Sequence, residues 1–285
     1  MRRKGGYYSV RTGLNPAGIA YDLPMLKRLF RGIFNDFVER ERFQEFLGKD
    51  CPDDPEAYGT AGQDVGMFFL RKLRKDGLWP IHQQLESYTE DDLFDVIELL
   101  YDHVSVGVDG RMHSYGGCGM HYDTFNSKPG QAEFRDAVNE VLKDYGSGFE
   151  LTTEGEILHL PEQGFDHLVQ AEIPHDDDRN IRQKIDAAVR KYRLRSSSLE
   201  DRRAAVRDLI DVLEFLRPQV KEVFATKDES DLFDIANNFG VRHHNEKQRT
   251  DYDPNIWTSW MFYFYLATTH AALRLIQRNR GEEDR

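Results

Sequence analysis

The sequence predicts an α+β N-terminal part, mostly helical with a small β-hairpin, followed by an all-α four-helix bundle. Three observations carry this. Apolar residues recur at helical spacing through most of the chain. Two short apolar runs, Phe149-Glu150-Leu151 and Ile157-Leu158-His159-Leu160, flank the turn pair Glu154-Gly155. After Asp176-Asp177-Asp178 every signal is helical, and three carboxylates at a helix start suit the positive end of its dipole. The expected domains are 1–175 and 176–285, a division that suits 285 residues.

Taken in order, Tyr7-Tyr8-Ser9-Val10-Arg11 reads as extended because its residues are aromatic and β-branched. Asn15-Pro16 and Gly18 then break the chain. Leu26, Leu29, Phe30, Ile33, Phe34, Phe37 and Val38 lie on one helix face, with Asp22 and Pro24 at its start. Cys51-Pro52-Asp53-Asp54-Pro55 is a loop, and residues 65–73 form a second helix. Thr89 and Asp92 make a capping box before Leu93, Ile97, Leu100 and Tyr101. Residues 107–128 differ in kind, with five glycines among His113, Cys118, His121 and Tyr122. A helix with Phe134, Val138 and Leu142 follows and stops at Gly146.

In the second part, Ile181, Ile185, Ala188, Val189 and Tyr192 share a face. Ser198 and Asp201 cap a helix carrying Val206, Leu209, Ile210 and Leu213. Leu232, Ile235, Ala236 and Phe239 predict a shorter third helix ending at Gly240. Asp253-Pro254 begins the fourth. Residues 256–273 contain no charged side chain, which meets the bare length of a membrane span. Thr258, Ser259, Thr268, Thr269 and His270 make this a buried core helix instead. Its aromatic run from Trp257 to Tyr265 suits core or dimer packing better than base stacking.

The net charge is -12, and residues 1–174 carry all of it, while residues 175–285 hold 20 basic and 20 acidic side chains. Such a total argues against bulk coating of nucleic acid but leaves room for a focused phosphate site. Residues 179–207 are locally basic, with ten basic and three acidic side chains. Arg190, Lys191, Arg193, Arg195, Arg202 and Arg203 then make either a solvated helix face or a track for an RNA backbone. Met1-Arg2-Arg3-Lys4 leads into Gly5-Gly6-Tyr7 and not an apolar run, so no signal peptide is expected. Two cysteines make no disulfide framework, and the cytoplasm is the expected compartment.

Two clusters could carry chemistry. In Val241-Arg242-His243-His244-Asn245, a guanidinium can hold phosphate oxygens in a fixed fork and an imidazole can move a proton near neutral pH. These are the groups needed to cleave RNA without a metal. A polar loop that caps the two helices beside it explains the same residues. The second cluster is His113, Cys118, His121 and Tyr122, where Cys118-Gly-Met-His121 has a spacing a metal could use. No second pair follows at zinc-site spacing, so a glycine-rich loop is the simpler reading. The expectation is no metal and no cofactor.

The order of helices in residues 177–278, with a polar Arg/His cluster between the third and fourth, resembles the HEPN superfamily. Asn237-Asn238 and Arg242-His243-His244-Asn245, running on to Asp251-Tyr252-Asp253-Pro254 and Trp257, look like the version in bacterial abortive-infection proteins. Tyr7-Tyr8-Ser9-Val10-Arg11 and residues 149–160 resemble an AbiJ-type N-terminal domain with a sensing or regulatory role. The resemblance implies a metal-independent endoribonuclease or toxin-like effector of phage defence. RNA would be its substrate, an antitoxin or phage-derived trigger its partner, and a homodimer through the C-terminal bundle its working form. Other members are non-catalytic modules that bind a protein or nucleotide. The family places a histidine after roughly four to six residues beyond its arginine. Here Lys247, Gln248 and Arg249 hold those places, and the histidines follow Arg242 at once. Asn238 stands at the family's distance before His243, which implies a permuted order. Arg242, His243, His244, Asn245 and Asn238 are therefore the implied catalytic set.

Overall fold

The computed structural model describes residues 8–13, 20–51, 58–114, 117–173, 180–223 and 253–283. The chain divides into two compact units, residues 1–158 and 159–285. The boundary expected at 175/176 lies outside the described residues. Residues before it already belong to the second unit. Ile173 is buried in that unit's core, and the Glu162 amide donates to the Tyr263 hydroxyl at 2.9 Å.

The first unit opens with α1 (Tyr8–Arg11), where an extended segment was expected. Local hydrogen bonds outweigh the β-propensity of these residues: Thr12 donates to the Tyr8 carbonyl from both its amide and its hydroxyl. Helix α2 (Leu23–Glu39) starts as expected, with the Asp22 carboxylate accepting from the Met25 amide at 2.9 Å. Then come α3 (Gln44–Leu47), α4 (Val65–Leu73), α5 (Ile81–Gln84) and α6 (Glu90–His103). The capping box of Thr89 and Asp92 is present at α6. Helix α7 (Ser127–Leu142) and the strand pair β5 (Phe149–Leu151) and β6 (Ile157–His159) follow, His159 being the first residue of the second unit, with Gly155 in the turn at φ +86°.

The core of this unit is rich in phenylalanine. The rings of Phe37 and Phe43 meet Phe134 edge-on at 5.2 and 6.1 Å, an arrangement that aromatic quadrupoles favour. Between α6 and α7, the segment expected to be a glycine-rich loop forms two antiparallel pairs. Strand β1 (Val106–Gly107) pairs with β4 (Phe125–Asn126), and inside them β2 (Gly110–His113) pairs with β3 (Gly119–Tyr122). A Cβ on Gly107 would sit 2.1 Å from the Tyr122 ring, so only glycine lets that ring pack against the strand.

The second unit contains α8 (Asp166–Val169), α9 (Ile181–Arg193), α10 (Leu199–Phe215), α11 (Arg217–Val223) and the long α12 (Pro254–Glu283). Helix α10 packs against both α9 and α12. Its capping box at Ser198 and Asp201 is present, as is the Asp253 cap of α12. Tyr192 stacks on Phe262 with ring centroids 3.8 Å apart, in a core that also buries Leu209, Leu213 and Tyr265. The helix expected at Leu232–Phe239 lies outside the described residues, so the described part of this unit is helical without completing a four-helix count. No helix among the described residues is long and apolar enough to cross a membrane.

Asp92 links helix start to electrostatics. Burial opposes its charge, but hydrogen bonds from Lys75 and Thr89 outweigh this and hold its carboxyl below the ordinary range. A depressed folded pKa stabilises the fold above the unfolded value, and that contribution is lost as pH falls through the folded one. Asp92→Asn should cost about 1 kcal/mol in urea unfolding at pH 7. The difference from wild type should shrink below about pH 4; a gap independent of pH would mean the carboxylate charge contributes nothing.

Candidate metal centre

The β2–β3 pair poses a physical problem. None of its eight residues is buried, and a short two-stranded hairpin is marginal in water without a core behind it. Polar ties hold it instead. Gln44, buried on α3, donates from Nε2 to the Met120 carbonyl at 2.9 Å and accepts from the Tyr122 amide at 2.8 Å. One side-chain amide thus grips the backbone on both sides of His121. The isolated bridge between Gly48 and Tyr58 fixes the chain near Cys51. Lys49 and Glu41 form an ion pair beside Gly119.

These ties bring Cys51, His113, Cys118 and His121 together. One ligand atom from each lies within 4.8 Å of the others. The Cys51 Sγ is 3.6 Å from His113 Nδ1, and the Cys118 Sγ is 2.8 Å from His121 Nε2. The two imidazole rings are 5.4 Å apart and nearly perpendicular. In a tetrahedral zinc site, Zn–S of about 2.3 Å and Zn–N of about 2.0 Å place the ligand atoms roughly 3.3–3.8 Å from one another. The observed spacings bracket that range, and shifts of about an ångström convert one arrangement into the other. Two thiols and two imidazoles suit zinc, since sulfur ligands select against magnesium and calcium. Four protein ligands leave no open position, which marks a structural site and not a catalytic one.

Desolvation, with the neighbouring Cys51 thiol, pushes the Cys118 thiol above its ordinary value. Two adjacent sulfurs resist ionising together, and a divalent ion removes that conflict by binding both as thiolates.

The pair that the chain's spacing lacked is supplied by folding. Cys51 lies 67 positions before Cys118, far outside any local zinc spacing, and His113 comes from the strand opposite. One sequence signal could have found it: the only two cysteines of the chain each sit in a turn-rich segment, one with a histidine three residues on. Beside the centre lies an open cavity of about 530 Å³, lined by His121, its cross-strand neighbour Arg111, and Lys49, Tyr58 and Asp123 among others.

In the second unit, the expected basic track is largely engaged by its own neighbours. Arg193 is buried and donates from Nε to the His159 carbonyl at 2.8 Å. Lys191 pairs with Asp208, and Arg203 with Glu200. Arg202 lies over the Tyr192 ring, 5.7 Å from its centroid. Arg190 and Arg195 lie on and just after α9. Asn238, Arg242, His243, His244 and Asn245 lie outside the described residues.

Searches against protein-family models, curated proteins and solved structures return no match. The reading of the site therefore rests on its own geometry.

Gln44 offers a direct test of the polar ties. Gln44→Leu keeps the volume but strands the Tyr122 amide. Hydrogen exchange at Tyr122 should rise about tenfold, the equivalent of about 1.4 kcal/mol of lost protection. Unchanged exchange there would show that the clamp does not hold the hairpin.

Proposed function

We propose that the chain is a two-part effector protein. Its N-terminal unit is a recognition module stapled by one zinc-class ion, and its helical unit carries metal-independent cleavage of RNA centred on Arg242 and His243. The observation that carries the first half is the set Cys51, His113, Cys118 and His121, with four ligand atoms mutually within 4.8 Å. A small domain segment with no core of its own is where a structural ion contributes most. The second half is supported by the resemblance to HEPN bundles of abortive-infection proteins, and by the position of the polar cluster just before the Asp253-capped α12. The catalytic roles would be Arg242 on the phosphate and His243 on the 2′-hydroxyl proton, with Asn238 and Asn245 placing them.

One observation favours a second reading, a non-catalytic module that binds a protein or nucleotide. Lys191, Arg193 and Arg203, read as RNA contacts, have intramolecular partners, which leaves a weaker track for a phosphate backbone.

Elemental analysis of the purified chain should find about one zinc per chain. Cys51→Ser and His113→Ala should each lose the ion and lower the melting temperature of the N-terminal unit. A chain that stays metal-free after refolding with zinc would sink the metal centre.

For the second half, incubation with total RNA in EDTA should give cleavage that Arg242→Lys and His243→Ala abolish, with melting temperatures unchanged. His244→Ala serves as the control that keeps activity. If no cleavage occurs and these variants unfold, the cluster is a structural cap and the binding-module reading stands. A homodimer through the helical unit belongs to the same proposal, motivated by the partly exposed Ile256 and Trp260 on α12. Light scattering at micromolar concentration should give twice the 33.2 kDa chain mass; a monomer would count against it.

A further inference from the structure

The metal centre also unites the only two cysteines of the chain. They lie 67 positions apart in sequence, yet their sulfurs come within 4.8 Å. Their surroundings differ. Cys51 is 3% exposed, whereas Cys118 is partly open to solvent, between Gly117 at φ +73° and Gly119 at φ +87°. His121 Nε2 lies 2.8 Å from the Cys118 sulfur. A partly open sulfur beside a buried one, with no third cysteine to compete, is the arrangement of an attacking and a resolving thiol.

We propose that Cys118 and Cys51 are a modification site for hydroperoxides, whose oxidation to a disulfide ejects the metal ion. The proposal rests on the metal reading above. In the first step the Cys118 thiolate attacks one peroxide oxygen. An S–O bond forms, the O–O bond breaks, and the leaving hydroxide, or alkoxide from an organic hydroperoxide, takes a proton from solvent to become water or the alcohol. In the second step the Cys51 thiolate attacks the Cys118 sulfur. The S–S bond forms, the S–O bond breaks, and the second hydroxide leaves as water. The two sulfurs lose two electrons and the peroxide gains them. The ion departs as a dication with its charge unchanged, because a disulfide cannot supply the thiolates that held it.

The consequence is local. His113 and His121 lose the ion they share, so the β2–β3 pair is left with its tie to Gln44, the packing of the Tyr122 ring on Gly107, and the new covalent link from Cys118. The wall of the adjacent cavity, which His121 and Arg111 form together, is thereby loosened.

The test begins with the full chain loaded with zinc, its stoichiometry measured beforehand. Hydrogen peroxide is added, zinc release is followed with a chromogenic chelator, and a non-reducing peptide map is taken. The expected result is one zinc released per Cys51–Cys118 disulfide, reversed by dithiothreitol and added zinc. Cys51→Ala should stop at a sulfenic acid on Cys118, trapped by dimedone, while Cys118→Ala should leave Cys51 unreacted at the same peroxide dose. A loaded chain that keeps its zinc while added glutathione is fully oxidised overturns the switch and leaves the metal centre standing. A chain that never loads zinc but still forms the disulfide overturns the metal reading and the ejection with it, and leaves only the thiol pair. Oxidation of Cys118 to sulfinic acid without any disulfide also overturns the proposal.

Discussion

The N-terminal unit depends on a constraint at β2–β3: a strand pair with no buried residue must be held from outside. Hydrophobic burial, which stabilises the phenylalanine core around Phe134, is not available to it. Directional bonds take its place. The Gln44 amide fixes the backbone of β3, the Tyr122 ring covers Gly107, and four ligand side chains converge where the hairpin meets Cys51. A point tie of this kind demands accurate placement, because hydrogen bonds and metal bonds weaken steeply with distance and angle where apolar packing does not. Gly107 and Gly110 follow from the same demand. They let backbone and ring approach where a side chain would intrude, and so a segment that is glycine-rich in sequence is closely built in space.

The same constraint explains why the metal ligands come from three chain segments. A staple stabilises most when it closes chain that would otherwise be free to separate. Cys51 follows α3, His113 ends β2, and Cys118 and His121 lie at and within β3. An ion bound by all four would fix the His113 and Cys118 end of the hairpin to the body of the unit. Gln44 fixes the other side from α3, two residues after Arg42, whose guanidinium pairs with Glu133 on α7. The hairpin is thus connected, through short polar links, to two helices that do have a hydrophobic core beneath them.

What could be read in the sequence divides along this line. Helix starts were legible, because a cap is a local device: Asp22, Thr89 with Asp92, Ser198 with Asp201, and Asp253 each act within three residues. The β5–β6 pair was legible from its apolar runs and Gly155. The short helix at Tyr8–Arg11 was not, since a few local hydrogen bonds there decide against a propensity of comparable size. The metal centre was only half legible. Cys118 and His121 carry a local spacing, but Cys51 and His113 join them through strand pairing and the Gly48–Tyr58 bridge, which no local pattern encodes. The basic residues of α9 and α10 show a different limit. Their composition allowed a solvated face or a surface for phosphate, while Lys191 and Arg193 are engaged by partners elsewhere in the fold and Arg203 by Glu200 on its own helix.

On the proposed function, charge accounts for how two chemistries can share one chain. Residues 1–174 carry the full net charge of -12, so this part repels a phosphate backbone. A divalent ion held by two thiolates and two neutral imidazoles adds no net charge to it. Binding zinc therefore leaves the unit's long-range field unchanged and makes no anion site of it. Any RNA contact falls to residues 175–285, where basic and acidic side chains balance and a single arginine fork can act without competing against a strongly negative surface. Under the proposed reading, the ion is a matter of architecture in one unit, and proton transfer by histidine is a matter of chemistry in the other. Each unit has its own buried core, so removal of the ion strikes the ties of the first without dismantling the packing of the second. Cleavage that tolerates a chelator and an N-terminal unit that does not are, on these grounds, compatible properties of the same protein.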